Sequence, residues 1–371
     1  MSFKKEILWL LFPFSCLYGL GVNIRNFLFD KGILKSVGFD IPIICVGNIT
    51  IGGTGKTPHT EYLIQLLTKH HRVAVLSRGY KRKKKGFLIA HAESTAHDIG
   101  DEPYQIKKKF PDITVAVCTQ RVKGVRKLLD LEDSISPDVI LLDDAFQHRH
   151  IKAGLNILLT DYHHLINNDR FLPTGRLRDS FRSRKRADIV IVSKCPEHLS
   201  PAEMSDIKEG LRIFPHQKLF FSTLKYGNLL GAWSDVKREM STITPNTKVF
   251  LLTGIANPRP ILDVIKETGA EITSICYPDH HNFSSIDVKH INKIFHHLSE
   301  SGDAILITTE KDASRLLLCQ GLSESVQRHL YILPVRIAFL NHQEDEFNST
   351  ISHYVRTEHS GSRSVAERKI S

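Results

Sequence analysis

The sequence predicts an α/β protein made of two lobes, each built around a largely parallel β-sheet. The first observation is a series of short apolar runs that begins at Ile43, with polar, helix-like stretches between them. Unbroken apolar runs alternating with helices are typical of parallel strands that are buried on both faces. The second observation is a break in this rhythm between residues 219 and 247, after which the series resumes. The length of 371 residues also fits two domains of roughly 150 residues each.

Each predicted strand is a short run of β-branched and other apolar residues. The strands of the first lobe are Ile43–Val46, Val73–Leu76, Val115–Cys118, Val139–Leu142, Ile157–Leu159 and Ile189–Val192, and those of the second are Val249–Leu252, Ile272–Ile275, Ala304–Ile307 and Tyr331–Leu333. Helices are predicted at about 260–268 and 286–298, and the pair Ser284 and Asp287 forms a capping box at the start of the second.

These elements predict five segments. Residues 1–35 form an apolar helix, 36–218 the first lobe, 219–247 an extended β-ribbon that joins the lobes, and 248–356 the second lobe. Residues 357–371 are polar, which predicts a disordered tail.

Composition restricts the partners and the compartment without choosing a function. The formal net charge of +10 favours anionic partners: nucleic acid, phosphorylated molecules or an anionic membrane surface. The six cysteines contain no C-x-x-C pair, so a disulfide framework or zinc knuckle is disfavoured and a reducing compartment fits best. The 20 histidines include adjacent pairs but no H-E-x-x-H, which is a poor metal signal.

The apolar run Ile7–Val22 is uncharged and has basic residues on both flanks. It is shorter than the ~20 residues that a membrane-spanning helix needs, and Pro13 is expected to kink a helix. Because apolar residues occur on all sides, we expect the helix to associate with a membrane interface. The alternative is a buried helix of the soluble core.

The strongest motif follows the strand Ile43–Val46 and precedes a helix-like segment. It is the glycine-rich stretch GNITIGGTGKTP, residues 47–58. Strand, loop and helix in this order are the context of a P-loop, whose backbone N–H groups bind phosphate. The standard pattern has glycine where this chain has Thr50. The residues predicted to hold the nucleotide are Thr50, Gly52, Gly53, Thr54, Gly55, Lys56 and Thr57.

Two roles follow from this motif. Lys56 is expected to reach the terminal phosphates, and Thr57 to ligate Mg²⁺. Asp143 and Asp144 end the buried strand Val139–Leu142, where a P-loop protein carries the acidic residue that completes the Mg²⁺ shell. A guanine-reading N-K-x-D is missing, since neither Lys194 nor Lys311 has an aspartate two residues later. ATP is therefore favoured over GTP.

Taken together, the motifs resemble those of the tetraacyldisaccharide 4′-kinase (lipid A 4′-kinase) family. They cover most of the chain in a specific order and spacing. They are the apolar amino-terminal helix, VGNITIGGTGKTP at 46–58, SRGY at 77–80, GDEP at 100–103, DDAFQH at 143–148, LPTGRLRD at 172–179, TGIANP at 253–258, PDHHNF at 278–283 and TEKD at 309–312. The chain departs from the family pattern at Ala145, Arg176 and Asp179.

The resemblance implies a P-loop NTPase-like lobe with a parallel sheet and a smaller Rossmann-like α/β lobe, joined by a β-ribbon. It implies ATP-dependent phosphorylation of the 4′-hydroxyl of an acylated glucosamine disaccharide 1-phosphate at the cytoplasmic face of the inner membrane. It also implies that Asp101 acts as the base together with His280. Candidate substrate contacts are Arg78, Tyr80, Gln147, His148, Arg178 and Asp179.

We expect Asp101 and His280 to come from different lobes, so that lobe closure assembles the site. The basic run 81–85 is either a solvated loop or a contact for ATP, the substrate phosphate or anionic headgroups. Nucleic acid is not an expected partner, since only Tyr80 and Phe87 flank that run. No obligate protein partner is evident. Two other functions stay open: a P-loop metallochaperone or assembly NTPase, and a soluble kinase of a small polar metabolite.

Overall fold

The computed structural model describes residues 2–255, 257–279, 281–300 and 302–368. These residues form an α/β fold with two sheets. As far as Tyr226, the elements are α1 (Ser2–Asp30), β1 (Ile43–Gly47), α2 (Lys56–Leu67), β2 (Val73–Ser77), β3 (Leu88–Ile89), α3 (Ala96–Ile99), α4 (Asp101–Lys109), β4 (Thr114–Val117), α5 (Arg121–Leu129), β5 (Val139–Asp143), β6 (Leu155–Asp161), β7 (Ile189–Ser193), α6 (Pro201–Leu211) and β8 (Lys218–Tyr226). The remaining elements are β9 (Leu229–Gly231), β10 (Lys237–Arg238), β11 (Lys248–Thr253), α7 (Arg259–Lys266), β12 (Glu271–Cys276), α8 (Ser285–Ser299), β13 (Ala304–Thr309), α9 (Glu310–Leu316), α10 (Glu324–His329), β14 (Leu330–Leu333), β15 (Val335–Phe339) and α11 (Glu344–Arg368).

The chain divides into two compact units. The first contains the residues up to 94, 106–224 and those from 337 onward, and the second contains 95–105 and 225–336. All ten strands predicted from the apolar runs are present, and so are the two predicted helices of the second unit. The predicted capping box is confirmed, because the Ser284 side chain accepts from Asp287 N and the Asp287 carboxylate accepts from Ser284 N.

The first unit contains a nine-stranded sheet in the order β15-β8-β7-β6-β1-β5-β2-β4-β3. The seven strands from β8 to β4 pair in parallel, and β3 is antiparallel to β4. β1 lies between β5 and β6, so the strand order reverses at β1. Open α/β sheets bind their ligands at such a switch point, beyond the carboxyl ends of the strands. Val46 is opposite Asp143 in the β1–β5 register, so the P-loop begins beside the predicted acidic pair.

The second unit contains a six-stranded sheet in the order β10-β9-β14-β13-β11-β12. Strands β12, β11, β13 and β14 are parallel, and β9 and β10 are antiparallel additions. Both faces of the central strand β11 are buried, and its alternate side chains enter two different apolar clusters. Phe250 and Leu252 of β11 pack with Phe295, whereas Val249 and Leu251 pack on the other face.

The ribbon predicted at 219–247 is not a separate linker in the structure. β8 pairs with β7 of the first sheet, while β9 and β10 belong to the second. The unit boundaries fall inside β8 and inside its neighbour β15. The reason is burial: Phe220 and Phe221 are apolar enough to make β8 a core strand of the first unit.

The prediction of a disordered tail from residue 357 is wrong as far as Arg368, because α11 continues to that residue. The helix is held by three side chains at four-residue spacing, Phe347, Ile351 and Val355, all fully buried. Phe347 also packs against Phe220 and Phe339. The first unit therefore includes a carboxy-terminal helix that the sequence analysis placed in the second lobe.

Candidate nucleotide and phosphoryl-transfer site

The P-loop links β1 to α2, and its glycines occupy the positions that require them. Gly52 and Gly55 have φ values of +101° and +79°, a region that residues with a Cβ adopt rarely. A Cβ added at Gly52 or Gly53 would meet no atom within 4 Å, so the space along the loop is open. Gly55 is the N-cap of α2, which begins at Lys56. A helix N-terminus behind an open glycine loop is a binding site for an anion.

Thr50, which departs from the standard glycine, has a structural explanation. It forms an antiparallel bridge with Leu177, and Ile51 N donates to Arg176 O at 2.8 Å. A β-branched residue is favoured in such an extended segment. The loop thus begins as an extended segment bridged to Leu177, and the first positive φ that favours glycine occurs at Gly52.

Asn48 organises the loop and was not identified from the sequence. Its side chain is fully buried; Nδ2 donates to Thr54 Oγ1 at 2.9 Å, and Oδ1 accepts from Arg178 Nη2 at 2.7 Å. A buried amide that is satisfied at both ends holds its surroundings in one geometry. The predicted residue Arg178 is therefore connected to the P-loop.

The structure brings Lys56 next to Asp144, the second residue of the acidic pair. The Lys56 ammonium lies 3.7 Å from Asp144 Oδ1, and Arg178 Nη2 lies 3.3 Å from the same oxygen. Burial raises the pKa of Asp144, but Lys56 and Arg178 outweigh it and hold this pKa below its ordinary value. Asp144 has a φ of +47°, which is strained for a residue with a side chain. Asp143 is buried, and Thr60 Oγ1 donates to its Oδ1 at 3.4 Å.

Arg121 is a second residue that the sequence analysis missed. It is buried at the start of α5; its Nη1 donates to Cys118 O at 2.7 Å and its Nη2 to Asp143 O at 3.4 Å. Burial lowers the pKa of Arg121 to about 10, although Asp143 and Asp144 oppose this. Its Nε has no hydrogen-bond partner. The sequence feature that could have identified Arg121 is its position just after β4, because the carboxyl ends of the parallel strands lie at the same edge of the sheet as the P-loop.

Gln147 and His148 follow the acidic pair and lie among positive charges. Burial, with Arg121 and Arg78, lowers the pKa of His148 to about 4, so its ring is neutral near pH 7. The side-chain nitrogen of Gln147 is buried without a hydrogen-bond acceptor. Neutral donors within a cationic surface suit the recognition of an anionic, hydroxyl-rich molecule.

The other predicted substrate contacts differ in their surroundings. Arg78 and Tyr80 are exposed after β2. Asp179 is buried, and its carboxylate accepts from Asn26 Nδ2, Ser183 Oγ and Arg186 Nη2 at 2.7, 2.8 and 3.0 Å. These contacts give Asp179 a structural role, since they join α1 to residues 183–186.

Helix α1 rests on the first unit along a polar stripe. Ser15 Oγ donates to Phe171 O and Tyr18 OH donates to Arg178 O, both at 3.0 Å. From Leu10 onward many apolar side chains of the helix are exposed, although Phe29 is buried. They include Leu10, Phe14, Leu17, Leu20, Ile24 and Phe27, each at least half exposed. The expectation of a helix that is apolar on all sides is therefore corrected. Within the described residues, no helix has both the length and the hydropathy to cross a bilayer.

Asp101 begins α4 and belongs to the second unit. Its Oδ2 lies 3.6 Å from Arg315 Nε. Arg315 is buried, pairs with the fully buried Asp312 at 3.1 Å and donates to His281 O at 2.8 Å. The described neighbours of His280 belong to the same unit, so the expectation that Asp101 and His280 come from different lobes is wrong. His280 itself lies outside the described residues.

A cavity of about 300 Å³ lies beside Asp101. Its lining includes Ala96, Asp101, Asn282, Ser284, Arg315 and Cys319. One wall is the capped start of α8, where hydrogen bonds from Ser284 and His281 outweigh burial and lower the pKa of Asp287 to about 2. His281 also stacks on Tyr277, with ring centroids 4.3 Å apart. The segment that follows His280 is thus held firmly next to Asp101.

The fold and this site define the class of the protein. A buried parallel strand, an open glycine loop and a helix that begins with lysine form a P-loop phosphate site. The carboxylate at the end of the neighbouring strand completes the arrangement that P-loop proteins use with nucleoside triphosphates.

Comparison with known proteins identifies the family. The sequence profile described as tetraacyldisaccharide-1-P 4′-kinase (LpxK) matches residues 7–356. The chain is 49% identical to the tetraacyldisaccharide 4′-kinase of Bacteroides fragilis over 363 residues, 97% of this chain and 96% of that one. It is 47% identical to the Bacteroides thetaiotaomicron enzyme over 375 residues, covering 99% and 98%. It therefore belongs to the tetraacyldisaccharide 4′-kinase family.

A solved structure agrees with the fold. LpxK from Aquifex aeolicus, described as an "apo" form in complex with ATP, superposes with a TM-score of 0.72 at 30% identity. The match covers 94% of this chain and 99% of that one. The two-sheet α/β architecture predicted from the sequence is confirmed.

Proposed function

We propose that this chain transfers the γ-phosphoryl group of ATP to the 4′-hydroxyl of a tetraacyldisaccharide 1-phosphate, which forms lipid IVA in lipid A biosynthesis. The observation that carries the proposal is the contact of the P-loop Lys56 with Asp144 in a chain that matches 4′-kinases over nearly its whole length. The metallochaperone and the small-metabolite kinase are disfavoured, because the family match covers residues 7–356.

The residues present fit an Mg²⁺–ATP complex. Thr57, Asp143 and Asp144 offer hydroxyl and carboxylate oxygens, the ligands that Mg²⁺ prefers. When bound, Mg²⁺ would neutralise charge on the transferred phosphoryl group. The backbone of Gly52–Gly55 binds the phosphates, and Lys56 and Arg178 supply positive charge beside them. The contact of both cations with Asp144 keeps them in place.

Asp101 accepts the proton of the attacking hydroxyl in this proposal. A sugar hydroxyl is a weak nucleophile, and a positioned base contributes about 10²–10⁴ in rate. Arg315 fixes the carboxylate of Asp101, and the same arginine holds the backbone of His281. His280 would then lie next to a segment that is anchored to the base, which supports the predicted pairing.

The acylated acceptor requires access to a membrane. We place the chain on the cytoplasmic face of the inner membrane, with the exposed apolar side chains of α1 in the interface. Tyr18 and Arg178 join this helix to the substrate side of the P-loop. The acceptor's 1-phosphate and the lipid headgroups are anionic, in agreement with the net charge of +10.

The decisive experiment is a phosphorylation assay. Purified protein is incubated with [γ-³²P]ATP, Mg²⁺ and tetraacyldisaccharide 1-phosphate in mixed micelles, and the lipid is analysed for a new phosphate. We expect transfer by the wild type and by the control variant Asp112→Asn, which alters an exposed aspartate near α4. Asp101→Asn is expected to lower turnover by about 10²-fold or more while ATP affinity is kept. Nucleotide binding without lipid phosphorylation would refute the proposed function.

A further inference from the structure

Two adjacent residues at the carboxyl end of β7 hold two carbonyl groups of the P-loop. Ser193 Oγ donates to Thr54 O at 2.9 Å, and the Lys194 ammonium donates to Gly53 O. Lys194 also pairs with Asp161 Oδ2 at 2.8 Å, at the end of the neighbouring strand β6. Lys194 was singled out above only because it lacks the aspartate of a guanine-reading motif. The structure shows that it contacts the phosphate loop.

The direction of these contacts matters because a peptide group is planar and trans. Its C=O and the N–H of the following residue point in opposite directions. When the carbonyls of Gly53 and Thr54 are bound to β7, the N–H groups of Thr54 and Gly55 must point away from β7. Convergent N–H groups of this kind are what a P-loop presents to phosphate oxygens.

The backbone at Lys194 supports a dedicated role. Lys194 has a φ of +58°, a left-handed conformation that is unfavourable for a residue with a side chain. Ser193 is fully buried, and its hydroxyl also lies 3.2 Å from Thr160 O. Lys194 is strained, Ser193 is fully buried, and the two side chains bind consecutive carbonyls of the P-loop. A solvent-exposed ion pair would need none of these features.

We propose that Ser193 and Lys194 are positioning residues of the nucleotide site. They fix the carbonyls of Gly53 and Thr54, and so aim the amides of Thr54 and Gly55 at the polyphosphate of ATP. This proposal rests on the proposed function in one respect, namely that the bound nucleotide is ATP. The acceptor lipid plays no part in it.

The first test measures ATP–Mg²⁺ affinity of the full chain by titration calorimetry, without lipid. Lys194→Met is expected to raise Kd about tenfold, the effect of losing one charge-assisted hydrogen bond. In the kinase assay, KM for ATP should rise while kcat at saturating ATP stays within about threefold, because the loop and not the acceptor is affected. A merely structural role would lower Tm and the active fraction and leave Kd unchanged, which would overturn the proposal.

Two controls separate the contact from charge. Lys218→Met removes an exposed lysine of β8 that pairs with Glu346, and Kd is expected to stay at the wild-type value. An equal loss of affinity in this variant would overturn the proposal, because net charge alone would then explain the effect. The double variant Lys194→Met/Asp161→Asn also removes the negative charge of Asp161, the ion-pair partner of Lys194. The loss of affinity should persist there, and full recovery would refute the role of the Gly53 contact.

A second variant pair keeps the proposal testable if Lys194→Met does not fold. Ser193→Ala removes the hydroxyl that binds Thr54 O, whereas Ser193→Thr keeps a hydroxyl at the same position. We expect Ser193→Ala to weaken ATP binding about fivefold and Ser193→Thr to restore most of the affinity. Equal Kd values for Ser193→Ala and the wild type would overturn the role of Ser193. Because calorimetry needs no lipid, failure of the lipid assay would leave this result independent.

Discussion

His59 is a buried histidine in the first turn of the P-loop helix, and its neutral ring makes two hydrogen bonds within the first unit. Its Nδ1 lies 2.7 Å from Gly55 O and its Nε2 3.0 Å from Ser222 Oγ. A carbonyl only accepts, so Nδ1 carries the proton and Nε2 accepts from the Ser222 hydroxyl. The ring thus connects the N-cap of α2 to β8. A second proton on Nε2 would reverse this hydrogen bond, with Ser222 Oγ as the acceptor, and would place a charge in the core.

The size of the effect follows from the pKa. Burial lowers the pKa of His59 from 6.5 to about 4, although the hydrogen bond to Gly55 opposes it. Between these values the unfolded chain binds the proton and the folded chain does not, so stability falls as the pH falls. Each pH unit in this window costs about 1.4 kcal/mol. Lowering the pH from 7 to 5 should therefore remove about 2 kcal/mol through His59 alone.

The assay is urea unfolding monitored by circular dichroism at pH 7 and pH 5, for the wild type and for His59→Gln. Glutamine does not titrate, so the loss of unfolding free energy between the two pH values should be about 2 kcal/mol smaller in the variant. His148 titrates in both proteins and cancels in the comparison. An identical pH dependence in the two proteins would refute the reasoning, because His59 would then be accessible to protons in the folded state.

Three further variants test other parts of the structure. Lys56→Met should raise the Kd for ATP at least tenfold in calorimetry, because the charge beside the phosphates is lost; unchanged affinity would contradict the P-loop assignment. Arg315→Met should destabilise the second unit by about 3 kcal/mol in urea unfolding, since it leaves the buried Asp312 without its cation; wild-type stability would argue against this pair. Gly19→Val places a Cβ 2.6 Å from the Phe171 ring, so limited proteolysis should cut α1 faster; an unchanged cleavage rate would show that α1 does not rest on this contact.

The parts of the fold that could be predicted are those with local causes. A buried parallel strand must be apolar along its whole length, so the run Val139–Leu142 identifies β5 without knowledge of its partners. The glycine loop is similarly local, since Gly52 and Gly55 need positive φ wherever the loop lies. The parallel register of β1 with β5 then places Asp143 opposite Val46, beside the start of the loop.

The supports of the site were missed because their partners are distant in sequence. Asn48 matters through Arg178, 130 residues away, and Arg121 through the backbone of Asp143. A lone asparagine or arginine carries no periodic or spacing signal that distinguishes such a role from a solvated one. Lys194 illustrates this further: a test for guanine recognition rejected it, and its contact with Gly53 became visible only when β7 was placed in the sheet.

Asp101 shows how segment boundaries depend on side-chain pairing rather than on order along the chain. The stretch 95–105 lies between β3 and β4, both strands of the first sheet, so sequence order alone assigns it to the first lobe. Its acidic side chains, however, form ion pairs within the second unit: Asp101 pairs with Arg315, and Glu102 pairs with Lys311. Arg315 also holds the carbonyl of His281, so one buried guanidinium fixes both the proposed base and the segment after its proposed partner. Asp101 and the described residues on either side of position 280 therefore belong to one unit, so the proposed pairing does not depend on residues of two lobes.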